Sequence, residues 1–105
     1  DPSQVEAARA LAERTLRLDS TGLKAQFNAL GKQVLSRPFN NREQMLLAKL
    51  LREHIEDFEA KPAEADKLIS TGIAPVPGDI PPVELAAWTS VARAVLNLHE
   101  TITRN

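Results

Sequence analysis

Apolar residues in the last quarter of the chain recur at alternating steps of three and four positions. They are Trp88, Val91, Val95, Leu98 and Ile102. This spacing places side chains along one face of an α-helix, whereas a β-strand needs alternation with a period of two. No alternation of that kind is long enough elsewhere to suggest a sheet. The sequence therefore predicts an all-α fold, with a last helix from Pro82 to near Asn105 that packs through this stripe.

Prolines, glycines and capping residues divide the rest of the chain into four further helices. We expect them at Ser3–Leu18, Gly22–Ser36, Asn40 or Asn41 to Ala60, and Pro62–Thr71. Ser3 followed by Glu6 is typical of a capping box at a helix start. Pro38 ends the second helix and Pro62 suits the first position of the fourth, since proline lacks an N–H. The predicted architecture is a compact bundle of four main helices and one short one, with the third and last helices at its centre.

Two further features predict how the helices are connected. Residues 73–82 hold four of the seven prolines, which indicates an extended, ordered crossover before the last helix. We expect Ile73, Val76 and Ile80 to anchor this crossover in the core. Gly31 lies inside the second helix, where glycine costs about 1 kcal/mol relative to alanine. Its presence there predicts close approach of a neighbouring helix.

Composition limits the class of protein. A chain of 105 residues is the usual size of one domain, so we expect a single helical domain over residues 1–105. The 13 basic and 14 acidic residues interleave, which disfavours a nucleic-acid partner. No apolar run approaches the ~20 residues that span a bilayer, so membrane insertion is not expected. The absence of cysteine excludes disulfides, thiol catalysis and covalent haem attachment within the chain. The start at Asp1 without Met suggests a fragment of a larger parent protein.

The residue types that carry chemistry do not form a recognisable site. His54 and His99 lie on apolar sides of their helices, but no HxxxH or HxxE pair accompanies them, and zinc needs three or four convergent ligands. No carboxylate pair, nucleophile elbow or glycine-rich phosphate loop stands out. We therefore assign no catalytic, cofactor-binding or metal residue. Trp88, the single tryptophan, is interpreted as a core anchor.

A polar face of the last helix is the candidate interaction surface. Glu100 and Arg104 on that face are spaced for an i,i+4 ion pair. Arg37 precedes a proline turn, where a guanidinium is expected to clamp helix-end carbonyls or Glu43. The candidate interaction residues are Arg37, Arg93, Asn97, His99, Glu100 and Arg104.

Several phrases in the chain have a common counterpart. They are Val5–Arg14, Leu35–Pro38 followed by Glu43, Gly72 with Pro75, Ala86–Arg93 (AAWTSVAR), Leu96–Glu100 (LNLHE) and Thr103–Arg104. Together they cover nearly the whole chain and resemble the C-terminal, planctomycete-specific domain of unknown function found in large planctomycete proteins with cytochrome c-like regions. His99 stands where that family usually has Asp, so no role of that acidic position is carried over.

The resemblance implies a place for the chain in a larger protein. Members are expected to be exported, which would make this domain extracytoplasmic. Haem or any enzymatic chemistry would belong to the upstream domains, with no cofactor in this chain. The resulting hypothesis is a non-catalytic accessory domain that docks on the upstream domains of its parent.

Two alternatives stay open. The domain could contribute residues to an active site formed mainly upstream, with Arg37, His99 and Glu100 as first suspects. It could instead be a homodimerisation module that uses its last helix. Concentration-dependent stability would distinguish a dimer from the other two.

Overall fold

Five helices account for most of the molecule, and the predicted all-α class is confirmed. The computed structural model describes residues 2–18 and 21–103, with side chains as far as residue 100. The helices are α1 (Pro2–Leu18), α2 (Leu23–Leu35), α3 (Asn41–Ala60), α4 (Pro62–Ile69) and α5 (Pro82–Thr103). The radius of gyration of 13.0 Å matches the ~13 Å of a compact chain of this length. None of the described helices combines the length and apolarity needed to cross a bilayer.

Capping explains some of the helix ends and corrects one prediction. At the start of α3, the Asn40 side chain accepts the Glu43 N–H at 2.9 Å and the Glu43 carboxylate accepts the Asn40 N–H at 2.8 Å, a complete capping box. The predicted Ser3–Glu6 capping box is wrong, because α1 begins at Pro2 and Ser3 already lies within the helix. The Glu6 carboxylate reaches across the fold instead and accepts the Ile73 N–H at 3.1 Å.

Helix α5 lies at the centre of the core. It contacts all four other helices, and most extensively α1 rather than α3 as predicted. Trp88 is only 2% exposed, and its ring centroid lies 5.2 Å from that of Phe27 on α2. Leu85 and Val91 are completely buried beside it. The core is therefore a layer of helices wrapped around the first half of α5.

The apolar stripe of α5 is buried along only part of its length. Trp88, Val91 and Val95 lie in the core, as the heptad spacing predicts. Leu98 was expected to continue the buried stripe, but it is 61% exposed and lines a surface groove between α5 and its neighbours. Ile102 belongs to the predicted stripe and its side chain lies outside the described residues.

The crossover before α5 is held by polar side chains of α1, so the predicted apolar anchoring is largely wrong. Ile73 is 96% exposed and Val76 is 45% exposed, while Ile80 alone packs against the core. Arg9, only 3% exposed, donates hydrogen bonds to the carbonyls of Ile69 and Pro75. A guanidinium donates to backbone carbonyls as readily as to carboxylates, because the oxygens of both groups accept hydrogen bonds.

The ends of the crossover are fixed by two more contacts from α1. Arg17 pairs with Asp79 through both carboxylate oxygens, at 2.6 and 3.0 Å. Gly72 adopts φ +97°, and a Cβ there would collide with the Glu6 carboxylate. Only glycine combines that backbone conformation with that space. The fourth helix was expected to reach Thr71, but α4 already ends at Ile69, two residues earlier.

Candidate functional site: an apolar groove between α2, α3 and α5

A small groove of about 170 Å³ opens where the end of α2, the start of α3 and the second half of α5 meet. Its apolar lining residues are Leu35, Phe39, Leu46, Leu47, Val95 and Leu98. Leu46 and Leu98, from the two facing helices, are 63% and 61% exposed. Neighbouring exposed apolar side chains indicate an interaction surface more strongly than single ones, which are ordinary. We call this feature the apolar groove.

One wall of the groove is the turn that joins α2 to α3. Ser36 ends α2 in the left-handed conformation, with φ 61°. Gly31 lets the turn fold back onto the helix, since a Cβ there would lie 2.6 Å from the Arg37 carbonyl oxygen. The close approach predicted at Gly31 is therefore real, but its partner is this turn and not a neighbouring helix. Phe39, 7% exposed, inserts its ring beneath the turn.

Polar contacts brace the same turn from the side of α3. The Gln44 amide donates to the Phe39 carbonyl at 3.2 Å and to the Asn28 side chain at 3.0 Å. Together with the Asn40–Glu43 capping box, this joins the turn to both helices. The groove wall is thus preorganised, which reduces the entropy lost when a partner binds.

An ion pair lies at the solvent edge of the groove. The Arg37 guanidinium donates two hydrogen bonds to the Glu43 carboxylate, each 3.0 Å long. The side chains are 52% and 32% exposed, so solvent screens the pair. Hydrogen bonding from Arg37, and secondly from the Asn40 N–H, lowers the pKa of the Glu43 carboxyl below its usual range. The arginine therefore acts as the clamp that the sequence predicts.

The six candidate interaction residues do not form one face. Arg37 lines the apolar groove on one side of α5, next to Leu98. Asn97 lies on the α1 side of the same helix and accepts a hydrogen bond from the Gln4 amide. His99 and Glu100 line a hollow there with the start of α1. The structure thus divides the predicted set between two sides of α5.

The remaining members of the set are less informative. Arg93 is half-buried on α5. Arg104, and with it the predicted Glu100–Arg104 ion pair, lies outside the described residues. Trp88, the predicted core anchor, is buried far from solvent and supplies no surface contact.

The two histidines lie apart from any group of metal ligands in the described part of the chain. Within residues 2–18 and 21–103, no three histidine or carboxylate side chains come together in a way that holds a metal ion. His54 is half-buried, and its ring stacks on that of Phe58 with centroids 6.3 Å apart. His99 is half-buried in the hollow beside α1.

Sequence reasoning missed the residues that form the groove. Met45, Leu46 and Leu47 are consecutive, and a helix stripe through Leu47 and Leu51 leaves the first two on the outer side. That run was a signal for exposed apolar residues on α3. Leu98 gave no comparable signal, because its spacing fits the buried stripe.

Comparison with known proteins identifies no relative of this chain. No protein-family model, no curated protein and no solved structure matches the chain. The resemblance to the planctomycete domain therefore stays a prediction from sequence.

Proposed function

We propose that this chain is a non-catalytic interaction domain that docks through the apolar groove onto the upstream domains of a larger parent protein. One observation carries the proposal: Leu46 and Leu98 face each other across the groove and stay more than 60% exposed. Removing such side chains from water is the main favourable term in most protein associations. The fixed turn on one side of the groove supports a site that is formed before its partner arrives.

The parent protein enters this proposal through the sequence resemblance alone. On that basis the parent is an exported planctomycete-type protein, this domain is extracytoplasmic, and any haem belongs to cytochrome c-like regions upstream. The groove itself supports only the interaction role, and it does so whatever the parent does chemically.

Titration calorimetry of this 105-residue chain against the separately produced upstream part of its parent tests the proposal. We expect binding with a negative heat-capacity change, the mark of apolar surface burial. Leu98→Ser should weaken that binding by on the order of tenfold or more, as loss of a buried anchor does. Leu18→Ser is a matched control, because Leu18 is 68% exposed on α1.

Each other outcome has a definite meaning. Equal binding by the two variants would show that the interface lies elsewhere and would contradict docking through the groove. Absence of binding would contradict an upstream partner. Sedimentation velocity at rising concentration identifies a second copy of the chain as the occupant, if Leu98→Ser abolishes a dimer that Leu18→Ser keeps.

A further inference from the structure

The exposed side of α3 beside the apolar groove carries three basic residues between Arg42 and Arg52. Met45 and Leu46, 74% and 63% exposed, are flanked at helical spacing by Arg42, Lys49 and Arg52. Residues three and four apart on a helix are surface neighbours, so these five side chains form one patch. We call it the basic-apolar face of α3. Its three cations are all exposed.

The three cations of this face form no ion pair with the described residues. Ion pairs elsewhere in the described part of the chain join Arg17 to Glu13 and Asp79, and Arg37 to Glu43. Glu43, which follows Arg42 along the helix, pairs with Arg37. Glu53 and Glu56 stand four residues after Lys49 and Arg52, but form no ion pair with them. No described carboxylate lies within 4.0 Å of the charged nitrogens of Arg42, Lys49 or Arg52. The cations are available to a partner.

The adjoining surface of α2 continues the pattern. Leu23 and Lys24 line a hollow together with Met45, and Leu23 is 43% exposed. Basic and acidic residues interleave along the sequence, and three of the cations lie together on this face of α3. The overall formal charge of the chain is −1, so this concentration is local.

Acidic residues gather at the other end of α3. The last eight residues of α3, which follow Arg52, include four exposed acidic residues: Glu53, Glu56, Asp57 and Glu59. A partner segment that carries negative charge is attracted to the stretch from Arg42 to Arg52 and repelled from the acidic end of α3. The charge distribution therefore sets both where such a partner lies and which way it points.

We infer that the occupant of the apolar groove is an acidic amphipathic helix of a partner protein. Its apolar side chains fill the groove between Leu46 and Leu98, and its carboxylates pair with Arg42 and Lys49. A groove between two helices suits a helix that presents apolar anchors at i and i+4. This inference rests on the proposed docking function and adds the chemistry of the partner.

A concave groove distinguishes this partner from a lipid surface. Membrane-binding helices insert a protruding apolar face, with their cations reaching the headgroups beside it. Here Val95 and Leu47 lie recessed between α3 and α5. That shape receives a side chain from a partner.

Fluorescence anisotropy with two labelled helical peptides tests the inference on the intact chain. Each peptide has about 18 residues, enough for measurable helicity, with leucines at i, i+4 and i+7. One carries glutamates at the flanking positions and the other carries lysines. We expect the acidic peptide to bind on the order of tenfold or more tightly than the basic one. The preference should shrink as salt shortens the screening length.

Matched variants locate the contact. Lys49→Glu should weaken binding of the acidic peptide by on the order of tenfold, whereas Lys67→Glu, on the exposed surface of α4, should leave it unchanged. Leu46→Ser should weaken both peptides, with Leu18→Ser as its control. Circular dichroism of each variant verifies that the helices are retained.

Three results would overturn the acidic partner. One is equal binding of both peptides with no response to Lys49→Glu, which would keep the groove as a docking site for an uncharged apolar helix. Another is binding of neither peptide at millimolar concentration. The third is binding to vesicles of mixed neutral and anionic phospholipid in preference to the acidic peptide. The calorimetric titration with the upstream protein decides the docking function separately in each case.

Discussion

The two halves of α5 share one heptad spacing and have opposite surroundings. From Leu85 to Ala92, seven of the eight residues are buried, while from Arg93 to Glu100 only Val95 is. The first half carries the structure, and the second half carries one wall of the apolar groove. The spacing of apolar residues thus establishes which side of a helix faces its neighbours. How far those neighbours extend along the helix decides which positions are buried.

Side-chain size explains why the first half can be enclosed. Ala86, Ala87, Thr89 and Ala92 are buried without any measurable exposed surface. Small side chains let helix backbones approach closely at the density of protein interiors. The Thr89 hydroxyl satisfies itself by donating to the Leu85 carbonyl at 2.7 Å. The buried Thr89 hydroxyl is therefore satisfied within the helix.

The largest expected loss of stability comes from truncating Trp88, the aromatic anchor in the buried first half of α5. Trp88→Ala should destabilise the protein by about 3–5 kcal/mol, because it removes a buried aromatic ring and leaves a cavity beside Phe27. Leu98→Ala, on the same apolar stripe but in the second half of α5, should cost less than about 0.5 kcal/mol. Urea denaturation followed by circular dichroism measures both. Similar losses for the two variants would contradict the division of α5.

The crossover that leads into the packed half depends on a buried cation. Arg9→Met should cost about 2 kcal/mol, since two carbonyls lose a charged hydrogen-bond donor. Limited proteolysis should also cut residues 73–80 faster. Arg14→Met is the control, because Arg14 is exposed on the same helix and its change should stay within about 0.5 kcal/mol. If the two variants were equally stable, the polar anchoring of the crossover would be dispensable.

Gly31, on α2, lies in close contact with the turn that forms one wall of the apolar groove. In an unobstructed helix, Gly31→Ala would gain about 1 kcal/mol from propensity. We expect a net loss of about 1–3 kcal/mol instead, because the added methyl collides with the Arg37 backbone. Gly78→Ala serves as the control, since nothing lies within 4 Å of a Cβ there. Thermal denaturation of both distinguishes the outcomes, and a stabilised Gly31→Ala would mean that the turn yields easily.

The smallest effect concerns the ion pair at the edge of the groove. The lowered pKa of folded Glu43 means that its interactions stabilise the protein above the unfolded pKa of about 4.3. That contribution is lost as the pH falls through the lower folded value. An NMR titration of the Glu43 carboxyl should show its pKa rising in Arg37→Met and unchanged in Arg14→Met. An unaltered value in Arg37→Met would show that Arg37 is not the cause.

Local signals in the sequence were sufficient for the helices and insufficient for the contacts between distant segments. Prolines, and Asn40 as the cap of α3, act through the backbone within a few residues, so their effects can be inferred from neighbours. The contacts that anchor the crossover cannot be inferred from neighbouring residues, because Arg9 and Pro75 are 66 positions apart in the sequence. The exposed Ile73 was misassigned because hydrophobicity alone gives no information on which segment covers it.

The candidate interaction residues were misgrouped for the same reason. The spacing of Arg93, Asn97 and Glu100 places them on one helix face, and this grouping depends only on neighbouring residues in the sequence. Arg37 was grouped with them although its position relative to α5 depends on how α2 packs. The groove needed knowledge of three helices at once. Only the run of Met45, Leu46 and Leu47 indicated it from a single segment.

The first and last helices lie side by side in opposite directions. Gln4, near the start of α1, reaches Asn97 near the end of α5, while Arg17 at the other end of α1 reaches Asp79 just before α5 begins. A short linker could therefore join α5 to α1 as a helical hairpin, with new chain ends opened at exposed Gly78. Such a circular permutant keeps every helix intact, since neither helix depends on the order in which the chain visits it. The same adjacency makes the domain suitable for insertion into a surface loop of another protein.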